Sequence, residues 1–94
     1  MNKALSSKKP ALIRNCRLAS SVEHGKIILI PEGMIKLKGT SIEIVKLVDG
    51  KRTVREIVES LCLKFHDADS QAIKKDVIDF LKLLEEKRVL DFLA

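Results

Sequence analysis

The sequence contains no tryptophan and no tyrosine, and its aromatic content is three phenylalanines. Stacking of bases on aromatic rings, a common way to hold single-stranded nucleic acid, has little to work with here. Two cysteines, Cys16 and Cys62, are too few for a disulfide framework. Cys62 lies between Leu61 and Leu63 and reads as a half-buried free thiol in a reducing compartment rather than as a nucleophile. His24 and His66 fall in separate polar connections without a cysteine or acid at ligand spacing, so both read as surface loop residues and a zinc site is not supported. Gly25, Gly33, Gly39 and Gly50 are isolated, which excludes a phosphate-cradling loop, and no serine sits in a nucleophile elbow. No apolar run approaches the ~20 residues that span a bilayer. The longest, Ile27 to Pro31, suits a strand, and the basic, polar start lacks the apolar stretch of a secretory signal. A cytoplasmic protein with no membrane contact, no cofactor and no chemistry of its own is the expectation.

What is present is one small domain. The chain has 94 residues, with 46% apolar and 33% charged residues, a globular balance. Its net charge of +5 is concentrated at one end. Lys3, Lys8, Lys9, Arg14 and Arg17 precede Glu23 without any acid, and the remainder is neutral. Residues 1–9 read as a flexible basic tail and residues 10–94 as the folded domain. Such an arm suits nucleic acid, an anionic membrane, an acidic partner or simple solvation.

Short apolar segments then alternate with turn signals. Cys16-Arg17-Leu18 is a short candidate strand, and Ile27-Ile28-Leu29-Ile30 has the continuous β-branched pattern of a central one. Pro31-Glu32-Gly33 turns the chain into Met34-Ile35-Lys36-Leu37-Lys38, where Ile35 and Leu37 share one face and Met34, Lys36 and Lys38 the other. After Gly39 the period becomes helical. Thr40 and Glu43 read as a capping box, with the helix stopping at Asp49-Gly50. Thr53 and Glu56 form a second box ahead of the stripe Val54, Ile57, Val58, Leu61 and Phe65. The last helix runs from about Ser70 to Lys87 with Ile73, Val77, Phe80, Leu81 and Leu84 inward, and Val89 to Ala94 reads as an extended tail. Strands grouped apart from helices mean an α+β fold: a three-stranded antiparallel sheet packed on three helices, winged-helix-like in outline.

That outline fits two uses. DNA recognition needs a basic reading helix, but the last helix carries as many acids as bases between Asp69 and Arg88. Capture of an extended peptide needs an open strand edge with unpaired N–H and C=O groups. The third strand, Met34 to Lys38, is the best edge. Its lysines serve either as guards against aggregation or as attraction for an acidic peptide.

The residues carry a resemblance as well. Ile27-Ile28-Leu29-Ile30-Pro31-Glu32-Gly33, Lys36-Leu37, Val48-Asp49-Gly50-Lys51-Arg52-Thr53-Val54, Glu56-Ile57-Val58, Leu61, Asp76-Val77, Phe80-Leu81 and Leu84 resemble the pyrroloquinoline quinone biosynthesis protein D (PqqD) family in order and spacing. The likeness runs from Pro10 to Leu90. It departs at Lys38, where the family commonly has asparagine, and at Lys87-Arg88, where it tends to glycine. The resemblance implies a non-catalytic peptide chaperone, the free-standing form of a leader-recognition element. Its members bind the leader of the precursor peptide PqqA as an added strand and present it to the radical S-adenosylmethionine (SAM) enzyme PqqE, which would hold the iron–sulfur cluster. By position, the peptide-facing residues are Met34, Ile35, Lys36, Leu37 and Lys38 on the strand. On the last helix they are drawn from Ile73, Lys74, Val77, Phe80, Leu81 and Leu84. Plain core is the competing reading of the apolar ones. A leader-recognition element of another modified-peptide pathway, or a winged-helix DNA-binding regulator, are the alternative functions. A monomer or a homodimer fits either.

Overall fold

The computed structural model describes residues 3–94, and it departs from expectation at once. Residues 3–9, read above as a flexible tail, contain helix α1 (Lys3–Ser6) and the first residue of strand β1 (Lys9–Leu12). The reason is a partner far away in sequence. β1 pairs antiparallel with the carboxy-terminal strand β5 (Leu90–Leu93), in the register Lys9↔Leu93 to Leu12↔Leu90. The Ile13 amide extends this ladder by donating to the Val89 carbonyl at 2.8 Å. Alternation then turns the nitrogen of Pro10 away from β5, so its missing donor costs the ladder nothing. Local composition shows a polar start; it does not show that residues 90–93 will cover it.

Between these strands lies the expected three-stranded antiparallel sheet, in the order β2 (Arg17–Ser21), β3 (Gly25–Ile30), β4 (Gly33–Lys36). The registers Leu18↔Ile28 and Ile28↔Ile35 put one apolar row across all three strands on the core face. Ile28 and the adjacent Ile27 are both buried, so the central strand is covered on both faces, as its unbroken β-branched run requires.

The helices are α2 (Thr40–Lys46), α3 (Val54–Lys64) and α4 (Ser70–Glu86). The box at Thr53 forms as read. The Glu56 amide donates to Thr53 Oγ1 at 3.1 Å, and Glu56 Oε1 accepts from the Thr53 amide at 2.9 Å. The box at Thr40 does not form. Gly39, at φ 53°, makes the turn, so Thr40 is already helical and no side chain caps this end. Glu43 instead accepts from Lys46 and from Lys64 of α3, and these contacts, the Lys64 bond foremost, hold its carboxyl below the ordinary value. α2 also stops earlier than read, at Lys46 with Leu47 as its cap. Asp49-Gly50 belongs to the following loop, where the amides of Lys51 and Arg52 both donate to Asp49 Oδ1 at 2.9 Å.

One core joins these layers. Ile28, Ile44, Val54, Ile57, Leu61, Val77, Leu81, Leu84 and Leu90 are all within 1% of full burial. No described helix is long and apolar enough to cross a membrane.

Candidate peptide-binding edge

The hairpin register decides which backbone groups of β4 are free. The Leu37 amide donates to the Lys26 carbonyl at 3.0 Å, which makes Leu37 and Lys26 a hydrogen-bonded pair. Such pairs alternate along an antiparallel ladder, so Ile35 with Ile28 and Gly33 with Ile30 are of the same kind. The N–H and C=O groups of Met34 and Lys36 therefore point the other way, out of the sheet. β4 ends the strand order, and among the described residues no strand pairs with its outer side. Lys38 is different. Its amide donates to Ser41 Oγ at 2.9 Å, and its carbonyl accepts from the Ser41 hydroxyl at 2.6 Å and the Ser41 amide at 3.1 Å. The vacant stretch of edge is thus centred on Met34 and Lys36, with Ile35 half-buried between them and Leu37 buried in the core.

β2 forms the other end of the sheet. β3 uses Lys26, Ile28 and Ile30 toward β4, so Ile27 and Leu29 face β2 and bond Ala19 and Arg17. The outward groups on β2 are those of Leu18 and Ser20.

The helix residues named from the sequence separate cleanly. Ile73, Val77, Leu81 and Leu84 are buried to 5% exposure or less and belong to the core. Lys74 and Phe80 keep partial exposure. The open concavity on α4, about 250 Å³, is lined by Gln71, Lys74, Lys75, Ile78 and Asp79. Gln71 and Ile78 were not singled out in the sequence. Their signal is a second helical stripe, at spacings of three and four through Lys74, that the more apolar core stripe outweighs. Lys75 donates to Asp79 at 2.7 Å, which raises the lysine above its ordinary value and neutralises that side of the concavity. Among the described residues no group of three or more His, Cys, Asp and Glu is placed to hold a metal ion.

The fold defines a small α+β module whose three-stranded sheet ends in β4, an edge that no strand of the described residues pairs and that carries exposed Lys36. The family model for coenzyme PQQ synthesis protein D (PqqD) matches residues 25–90. A PqqA binding protein of Kluyvera intermedia is 38% identical over 80 residues, covering 84% of this chain and 85% of that protein. One from Acinetobacter baylyi is 37% identical over 66 residues, 70% of this chain and 65% of its own length. A bifunctional coenzyme PQQ synthesis protein C/D of Methylorubrum extorquens is 36% identical over 83 residues, which is 87% of this chain but only 22% of the fused protein. Among solved structures, the PqqD truncation of Methylobacterium extorquens PqqCD, described as a stand-alone recognition element for ribosomally synthesised and post-translationally modified peptides, superposes with a TM-score of 0.72 at 35% identity over 87% of both chains. PqqD from Xanthomonas campestris gives 0.56 at 29% identity, over 83% of this chain and 87% of that one. The chain belongs to the PqqD family.

Proposed function

We propose that this chain is a non-catalytic peptide chaperone of pyrroloquinoline quinone biosynthesis, working in the cytoplasm. It binds the leader of the precursor peptide PqqA by adding it as a strand to β4, and presents the precursor to the radical SAM enzyme PqqE. The relatives named as PqqA binding proteins support the ligand. The observation that carries the mode is the pair of outward-facing backbone donors and acceptors at Met34 and Lys36, on a strand with no outer strand neighbour among the described residues. Main-chain bonds to these groups supply affinity without regard to sequence. Selectivity comes from side chains that the added strand lays against Met34, Ile35 and the surface kept by Lys74, Ile78 and Phe80. The buried residues of α4 serve by fixing that surface. No metal or redox group is required of a chain whose task is to hold a peptide.

Two proline variants test the mode by calorimetric titration with PqqA. Lys36→Pro removes an outward donor and no internal bond, and should weaken binding about tenfold, the worth of one good hydrogen bond. Ser20→Pro does the same to the outer side of β2 and should leave affinity unchanged. Equal affinities in both folded variants, or loss only in Ser20→Pro, would refute addition at β4.

A further inference from the structure

A second, more enclosed cleft of about 190 Å³ opens at the β3–β4 turn, beside the residue where β4 begins. Pro31 and Glu32 form one wall, Arg14 and Cys16 a second, and Lys87 and Arg88 a third. Three cations thus gather from two distant segments against one anion. The ion pairs of the described residues include none of Arg14, Lys87 or Arg88. The backbone turns left-handed on both cationic walls, with strain at Arg88. Asn15, between Arg14 and Cys16, has φ 75°, and Arg88 has φ 61°; these are the two non-glycine positions in the left-handed region among the described residues. Asparagine adopts that region readily, but arginine resists it and gains nothing locally from it. A cation at the end of α4 is favoured by the helix dipole, but that leaves Arg14, from another element, unexplained.

A strand added along Met34 and Lys36 advances about 3.3 Å per residue, so a few residues past Gly33 bring it to the mouth of this cleft. We infer that the cleft receives acidic side chains of the bound peptide, those flanking the strand-paired segment on the Gly33 side. Guanidinium groups grip carboxylates in a two-bond fork, and an unmodified ribosomal peptide offers carboxylates. This rests on strand addition at β4 and adds to it a charge rule for which leaders are accepted.

The test uses three synthetic peptides with one PqqA leader segment in common: glutamates flanking its amino end, glutamates flanking its carboxyl end, and glutamines at both. One glutamate peptide should bind about five- to tenfold tighter than the glutamine peptide at low salt, the sum expected of a few exposed ion pairs. The advantage should vanish near 1 M salt, where screening reaches about 3 Å. It should also be lost in Arg14→Gln and in Arg88→Gly. Glycine relaxes the left-handed position, so Arg88→Gly should melt higher than the parent while losing discrimination, an outcome a merely tolerated arginine would not give. Equal affinity for all three peptides, or an advantage that survives both variants, overturns the inference. So does inorganic phosphate that erases the advantage more than chloride of equal ionic strength, which would make the cleft a phosphate site. If the β4 amides respond to the glutamine peptide, such a failure is the cleft's alone. If no peptide shifts the Met34 and Lys36 amides, strand addition fails and the charge rule with it.

Discussion

β1 and β4 are both outer strands, and they treat their free sides in opposite ways. Along β1 and the residue before it, the carbonyl of Lys8 accepts from the Val54 amide and that of Pro10 accepts from the Gly50 amide, each at 2.9 Å. The first of these donors is an orphan of the α3 amino terminus, so a single bond satisfies a helix end and a strand edge together. On β4 the corresponding outward groups, at Met34 and Lys36, meet no strand among the described residues, and Ser41 bonds Lys38. One border is sealed by the fold's own loops, and the other has no strand on its outer side among the described residues. Edges left open are hazards that proteins usually close or guard. Lysine on an edge strand works against self-pairing, and Lys36 is exposed on this one.

The contrast can be attacked at several points. The largest effect belongs to the sealed side: Leu90→Ala, at a fully buried residue of β5, should cost about 2–5 kcal/mol in denaturant unfolding, whereas Met34→Ala on the open side should stay within about 0.5 kcal/mol. Similar losses at both would mean that β4 is as integrated as β5. Gly50→Ala should cost about 1–2 kcal/mol. Its backbone sits at φ +75°, and a Cβ there would lie 3.3 Å from the Ala11 Cβ, pressing on the loop that seals β1. Asp49 sharpens the same comparison through pH. The Arg52 and Lys51 amides, with the Arg52 guanidinium behind them, hold its carboxyl below the ordinary carboxylate value. A depressed value means stability present above the unfolded-state pKa and lost as pH falls through the folded one. Acid titration of unfolding should therefore show a contribution below about 1 kcal/mol, small because the pair is solvated, that disappears in Asp49→Asn.

How far these features can be read from sequence depends on how local their causes are. The Thr53 box is complete within four residues, and it forms. The Thr40 box has the same letters, but the preceding Gly39 takes the turn upon itself and shifts the helix start by one residue. β1 was invisible because a polar start gives no hint of a partner at residues 90–93. The stripe Ile73, Val77, Leu81, Leu84 announces burial plainly, yet periodicity cannot say what does the covering, and here it is the chain's own core. The third strand was legible from its alternation, but which of its amides face outward follows only from the register with β3. The positive φ at Arg88 has no signature in the residue type, since arginine gives no hint of a left-handed turn.

The central claim concerns two backbone amides, and hydrogen exchange read residue by residue in ¹⁵N spectra, with and without PqqA, addresses them directly. Strand addition predicts that Met34 and Lys36 exchange freely in the free protein and become protected on binding, while Ile35, already bonded to β3, changes little. Saturating peptide that leaves both amides as exposed as before, or that protects Leu18 and Ser20 instead, would contradict it.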